Sequence, residues 1–285
     1  MSRYITGGAS GASAGGSGGG GTVRQQRFLT SGTFAVPSGV TSAEVLVVAG
    51  GGGGGRGSSW QISHPGGGGQ GGQVKCEVVD LTGISSCAVV VGSGGNRAAG
   101  QSSDSYNGQP GGKSSFTYGS DTIECVGGRQ GISGGVGGHG APHWFQWYNN
   151  TASPDGDSYG EYNTAFHNDT GHTRGAGGNA RNQNSAGHNS NMHGMKGMYG
   201  YGGGGGAGAY DNNNSYAFGG KGQDGGGTST NYDWWQGWSG SDNTGKAMFR
   251  SGQPNTGGGG AGGNYPNNEY GGNGASGIVI VTYSV

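Results

Sequence analysis

Aliphatic residues in this chain occupy the first half and the last few positions, and leave the stretch between them empty. They cluster in short runs at residues 23–29, 33–36, 44–49, 73–81, 87–91, 114–118, 122–126 and 277–283. Each run is of strand length and is bounded by glycine, serine, asparagine or aspartate, so each predicts a β-strand. Within 73–81, Val74, Cys76 and Val78 alternate on one face. Pro37-Ser38-Gly39 and Gly83 mark turns, and Gly119-Ser120-Asp121 predicts a hairpin between 114–118 and 122–126. The last run, GIVIVTY, is the most apolar of the chain. After Val136 there is no valine, leucine or isoleucine until Ile278. No window carries a helical period, since glycine at this density costs about 1 kcal/mol per residue in an α-helix relative to alanine.

The strand run EVLVVA drives straight into six consecutive glycines at 50–55, and further runs stand at 66–69, 202–206 and 257–260. Glycine supplies 77 of 285 residues and hydrophobic types only 29%. A conventional side-chain core cannot be built across the whole chain from this material. Short pieces keep glycine at every third position, as in Gly271, Gly274 and Gly277, or Gly134, Gly137 and Gly140. Three is the repeat of the polyproline-II helix, which rises about 3.1 Å per residue and makes no internal hydrogen bonds. Packed side by side, such glycine helices direct N–H and C=O groups outward and pair them with neighbours, satisfying the obligatory backbone bonding between segments. The sheet would launch the first of them where EVLVVA ends.

The expected fold is therefore mainly β with irregular structure. A small sandwich-like frame of N-terminal strands plus the C-terminal strand carries packed polyglycine-II helices and long loops, with essentially no α-helix. The organisation divides as a flexible Gly/Ser-rich leader at 1–21, with Arg3-Tyr4-Ile5 as an anchor candidate, and a β-frame at 22–126. A glycine-rich region with aromatic loops follows at 127–276, and the strand 277–285 returns to the frame.

Charge and cysteine content narrow the function. The net charge is −1 and no basic run occurs, so the electrostatic footprint of a nucleic-acid binder is missing. No apolar segment approaches the roughly 20 residues of a spanning helix, so no membrane insertion is expected. The N-terminus lacks the apolar stretch of a secretory signal. Cys76, Cys87 and Cys125 have neither CxxC nor zinc spacing and all fall in predicted strands. They read as buried thiols of a protein made in a reducing cytoplasm, the alternative being a Cys76–Cys87 bridge across a hairpin.

FAVPSGVTSAEVLVVAGGGGGG, then CAVVVGSGG with GGKSSFTYG, and the close GGNGASGIVIVTY resemble the glycine-rich domain of bacteriophage tail-fibre proteins and adhesins. The resemblance covers about residues 28–136 and 257–285. It implies a virion surface protein, made in the host cytoplasm, in which polyglycine helices carry variable loops that recognise the host cell. The implied partners are a host cell-surface receptor and other fibre or tail proteins, as a homotrimer or as a monomeric tip on a trimeric fibre.

Two aromatic clusters supply the candidate recognition surface: Trp144, Phe145, Trp147 and Tyr148, and Tyr232, Trp234, Trp235 and Trp238. They hold five of the six tryptophans, and each is flanked by polar residues such as Asn149, Asn150, Asp242 and Asn243. Flat aromatic faces stack on sugar C–H surfaces while amides bond hydroxyls. The same residues dominate protein-binding hot spots. The bland reading has them plugging gaps against glycine helices or burying at a subunit contact. The pairs His139/His143, His167/His172 and His188/His193 lack the HExxH arrangement and a helix to align them, so neither metal nor cofactor is expected. Met192, Met195 and Met198 fit a long exposed loop at 179–199. Gly131-Ile132-Ser133-Gly134-Gly135 matches GxSxG formally, but chance matches are expected at this glycine content and the strand–turn–helix context is missing.

The expectation is a non-enzymatic phage receptor-binding or fibre protein, taking a glycan or outer-membrane protein as receptor. The alternative is a purely structural decoration or connector protein of the virion. A third reading, an ice-binding or matrix protein, is opposed by the irregular bulky loops.

Overall fold

The structure, a computed structural model, describes residues 21–56, 66–98, 107–132, 167–169, 172–174, 198–205, 225–227, 251–263 and 270–285. Among them lie ten strands and no α-helix: β1 (Val23–Phe28), β2 (Gly32–Ala35), β3 (Ser42–Val48), β4 (Val74–Asp80), β5 (Ser86–Val90), β6 (Ser114–Tyr118), β7 (Asp121–Cys125), β8 (His167–Asp169), β9 (His172–Arg174) and β10 (Ile278–Ser284). They form a six-stranded sheet ordered β1-β10-β3-β4-β9-β8 and a four-stranded sheet ordered β2-β5-β6-β7, all pairs antiparallel. The eight aliphatic runs are the eight longer strands, to within two residues at their ends. The short pair β8–β9, drawn from the aliphatic-free stretch, has no hydrophobic pattern and was invisible to it.

Alternation makes the two sheets a sandwich. Val45, Val47, Val79, Val279 and Val281 from the larger sheet meet Phe34, Cys87, Val89, Phe116 and Ile123 from the smaller in one buried cluster. Phe34 is its hub, with ring centroids 6.3 Å from Phe116 and 5.4 Å from Tyr283. The face shared by Val74, Cys76 and Val78 is the outer one, since Val79 is the β4 residue that enters the core and Val78 is exposed. Part of that outer face is covered: Val48, Val74, Ile278 and Ile280 form a second cluster with Leu46, beneath Met198 and Tyr201. The β6–β7 turn is the expected hairpin, with Tyr118 opposite Asp121 and Gly119 at φ 56°, in the left-handed region that glycine enters without strain.

Six strands open directly into glycine segments at one end of the sandwich. β3 continues into 49–56, β5 into 92–98 and β7 into 126–132, while 66–73, 107–113 and 270–277 run back into β4, β6 and β10. These six and the segment 257–263 pack as a hexagonal lattice whose centre is 49–56. Successive N–H groups of the central segment rotate through three neighbours. Residues 49, 52 and 55 donate to 73, 70 and 67; residues 50 and 53 donate to 112 and 109; residues 51 and 54 donate to 275 and 272. All seven bonds are 2.8–3.0 Å long. The carbonyls rotate likewise: 50 and 53 accept from 128 and 131, 51 and 54 from 95 and 98, and 52 and 55 from 260 and 263. Bonding partners that repeat every three residues are the signature of polyglycine-II packing. The central segment is antiparallel to three neighbours and parallel to the other three, in alternation around it.

The ring closes upon itself. Segment 66–73 bonds 126–132 through Gly67 to Ile132 and Gln70 to Arg129. The circuit continues through 107–113, 92–98, 270–277 and 257–263, which returns to 66–73 through Gly66 to Gly263 and Gly69 to Gly260. Segment 257–263 alone has no strand to launch it; Gly257, at φ 66°, turns the chain into the lattice. Segments 202–205 and 225–227 begin a further layer on the same side, for Gly205 donates to Gly69 and Gly227 to Gly259.

This lattice explains where glycine is obligatory. A Cβ on Gly50 or Gly53 would strike segment 92–98, on Gly51 or Gly54 segment 257–263, and on Gly52 or Gly55 segment 126–132, in every case against backbone and inside 3.0 Å. A helix with three occupied faces needs six glycines in a row. Ring segments need glycine chiefly where they face the centre, and Gly271, Gly274 and Gly277 are such a row, against Gly54, Gly51 and Val48. Where a ring segment lacks a neighbour on its outer side, side chains stand in for one. The buried amides of Gln73 and Gln70 accept from the N–H groups of Val126 and Arg129 at 3.0 and 3.3 Å.

All three cysteines are free thiols: Cys87 and Cys125 are buried in the smaller sheet, and Cys76 is half-buried on the outer face of the larger. A Cys76–Cys87 bridge is thereby ruled out, the two residues lying in different sheets. Cys125 donates to the Val47 carbonyl at 3.3 Å, and burial pushes its thiol from 9.0 up to about 12, with Glu77 and Glu124 adding to the rise against an opposing effect of Lys75.

Gly53→Ala should break the bonds Gly53 makes to Gln109 and Gly131 and displace Asn96, at a net cost of about 3 kcal/mol or more. In thermal unfolding that is a loss of roughly 6–12 °C. Gly32→Ala, whose Cβ would meet only Phe28 ring atoms at 3.8 Å, should stay within about 0.5 kcal/mol of the parent. The raised Cys125 thiol predicts a base-sensitive stability. Between 9.0 and about 12 the unfolded chain ionises Cys125 while the native state keeps the proton, so stability falls as pH rises. Melting at about pH 8 and about pH 10 should show a larger drop for the parent than for Cys125→Ala.

Candidate functional site

The molecule has two unlike poles. At the pole away from the glycine lattice, Thr22 and Val285 exchange backbone hydrogen bonds of 2.9 and 3.1 Å, so the described start and end of the chain lie side by side. Toward the opposite, distal pole the described parts of the lattice segments extend to residues 56, 66, 98, 107, 132, 263 and 270. Their last bonds, Gly55 to Gly67, Gly263 to Gly55, Gly67 to Ile132 and Ala98 to Gly54, bring these ends to a common level.

Trp144, Phe145, Trp147, Tyr148, Tyr232, Trp234, Trp235 and Trp238 all lie outside the described residues. The points from which their stretches depart are described. Residues 133–166 follow Ile132, at the distal pole. Residues 228–250 follow Gly227, in a segment that runs parallel to 257–263 and hence toward the same pole. Of the histidines singled out by spacing, only His167 and His172 are described; they sit on β8 and β9 opposite Arg174 and Asp169 rather than opposite each other. Among the described residues no group of three or more histidine, cysteine or acidic residues could hold a metal. Also among them, no helix is long and apolar enough to cross a membrane. Gly131 and Ile132 of the formal GxSxG match belong to a lattice segment, where Gly131 packs on Gly67 backbone, and not to a strand–turn–helix elbow.

The distal pole carries a cluster that sequence reasoning did not single out. Arg56 ends the central segment, Arg97 stands one residue before the end of 92–98, and Tyr270 begins 270–277. These three segments are mutual neighbours, so the three side chains converge. The Arg56 guanidinium carbon lies 4.6 Å from the Tyr270 ring centroid and that of Arg97 lies 5.2 Å from it. Arg56 is 6% exposed, and Arg97 and Tyr270 are half-buried. The backbone under Arg97 is fixed by a 2.8 Å bond from its N–H to the Asn273 side chain.

Charge is segregated along the same axis. Among the described residues the carboxylates, Glu44, Glu77, Asp80, Asp121, Glu124 and Asp169, all belong to strands. The glycine segments bear Arg56, Arg97 and Arg129, together with Lys113 at the junction, where it pairs with Glu124 at 2.8 Å.

A comparison with curated proteins gives no match. The profile of a glycine-rich domain family matches residues 29–284, from the residue after β1 to the last residue of β10. The match spans β2 to β10 and the glycine lattice, and this chain belongs to that glycine-rich domain family.

Proposed function

We propose that this protein is a non-enzymatic host-recognition component of a virion fibre, presenting aromatic- and asparagine-rich stretches to a cell-surface receptor. The observation that carries the reading is the polarity of the chain. Thr22 and Val285 meet at one pole, while the described glycine segments extend to the other, and the stretches holding both aromatic clusters follow Ile132 and Gly227, whose segments run toward it. A lattice held by backbone bonds from every side is a stiff platform, and stiffness lowers the ordering cost of binding. Lattice contacts depend on backbone and not on the sequence of the connecting stretches, so those can vary without disturbing the scaffold. Several copies per particle would multiply weak contacts through avidity.

The purified protein should adhere to susceptible bacteria and compete with phage for adsorption. Joint replacement of Trp234, Trp235 and Trp238 by alanine should weaken adhesion by about tenfold or more while leaving the melting temperature unchanged. Undiminished adhesion of this variant would remove the second cluster from the recognition surface. A parent protein that neither adheres nor competes would favour a structural connector role instead.

A further inference from the structure

Resting on the receptor-binding reading and giving its ligand a chemical class, we infer that Tyr199 is a lateral recognition residue whose exposed ring stacks on a pyranose of a host surface polysaccharide. Met198 and Tyr201 exchange two backbone hydrogen bonds of 2.9 Å, and the residues between them, Tyr199 and Gly200, stand at φ 53° and 78°. Positive φ at both central positions makes this a type I′ turn, whose first central position favours asparagine, aspartate or glycine. A bulky aromatic there is an outlier, and strain of this kind is concentrated at binding and switching sites. The other non-glycine residue at positive φ, Asn255, is of the tolerant type, and its side chain accepts from the Ser276 hydroxyl at 3.0 Å.

Among the described residues, no hydrogen bond of the Tyr199 hydroxyl and no ring contact offsets the strain. Met198 and Tyr201 pack onto Val48, Val74, Ile278 and Ile280, whereas Tyr199 lies outside that cluster and is 63% exposed, the most exposed aromatic among the described residues. A Cβ on Gly200 would meet nothing within 4 Å, so the turn projects into open space. Its base is nevertheless fixed, because Met198 and Tyr201 anchor it and Gly202 donates to the Thr256 carbonyl at 2.7 Å. A ring displayed from a fixed backbone has little freedom left to lose on binding.

Residues 198–205 bear no charge. A flat, uncharged ring with a hydroxyl at its edge suits the C–H face of a sugar, with the hydroxyl free to bond a neighbouring oxygen. The turn lies over the lattice-side ends of β3, β4 and β10. At about 3.1 Å per residue over 49–56, that is roughly 20 Å behind the described distal ends of the lattice. An extended polysaccharide can meet this flank and the distal pole together, and contacts joined on one ligand gain avidity that a compact receptor touching only the pole does not supply.

The test is adhesion of the full-length protein to susceptible bacteria, with the melting temperature of each variant measured alongside. Tyr199→Asn places a favoured residue in the turn, so the melting temperature should rise by roughly 1–3 °C while adhesion falls about fivefold or more. Adhesion equal to the parent's would overturn the inference, and so would a lowered melting temperature, which would show the ring packing within the fold. Val78→Thr, at another exposed position on the outer face of the larger sheet, should leave adhesion unchanged, and an equal loss there would count against Tyr199. Treating the bacteria with proteinase K or with periodate, which cleaves the vicinal diols of sugar rings, identifies the ligand class. The parent's advantage over Tyr199→Asn should survive the proteinase and vanish after periodate; the reverse pattern assigns the contact to a protein and refutes the glycan. A parent that adheres no better than Tyr199→Asn removes Tyr199 alone and leaves the receptor-binding reading standing, whereas a parent that does not adhere at all removes both.

Discussion

The fold depends on backbone touching backbone. In the central segment every N–H from Ala49 to Gly55 donates and every carbonyl from Gly50 to Gly55 accepts, to six different neighbours. Such an arrangement requires interaxial distances that only glycine permits, because the space a Cβ would fill already holds a carbonyl. What a conventional interior gains from interlocking side chains, this one gains from saturated backbone hydrogen bonding and close van der Waals contact. The scarcity of aliphatics in the described glycine segments is thereby accounted for, since the lattice has no use for them.

Glycine also loses the most conformational freedom on ordering, so such a lattice does not assemble unaided. The sandwich meets that cost. Its strands carry most of the aliphatic residues, pack many of them between two sheets around Phe34, and deliver six chains at fixed spacing into the lattice. The strand order sets the order of glycine segments around the ring, and the antiparallel pairing sets their alternating directions. Sandwich and lattice thus depend on each other, and the family match, from residue 29 to 284, takes in both. The polarity on which the functional proposal leans is a by-product: a strand bundle with glycine at one end only has a closed pole and an extended one.

Much of this was legible in the sequence, and the reasons are physical. Strands 23–29 through 277–283 were readable because burial between two sheets imposes a period of two on aliphatics, and Gly271, Gly274 and Gly277 were readable because a lattice helix has a period of three. The inner face of β4 was not. Val79 carries it while Val74, Cys76 and Val78 look outward, and the inner row it shares with Lys75 and Glu77 has no aliphatic alternation to read. Strands β8 and β9 have no pattern to read, being a three-residue hairpin added at a sheet edge. The arginine–tyrosine cluster at the distal pole was illegible for a different reason: Arg56, Arg97 and Tyr270 are far apart in sequence, and only the hexagonal order of the segments makes them neighbours. The aromatic clusters are conspicuous in composition and lie outside the described residues.

Native-state amide hydrogen exchange on glycine-labelled protein tests the central claim most directly. If Gly50 to Gly55 are bonded on all sides within a cooperative lattice, their amides should exchange only through global opening, with protection equal to that of Val45, Val47 and Val279 in the core strands. Exchange of those six glycines at rates near those of an unstructured chain, while the strands stay protected, would contradict it and reduce the glycine segments to loose connections hanging from a β-sandwich.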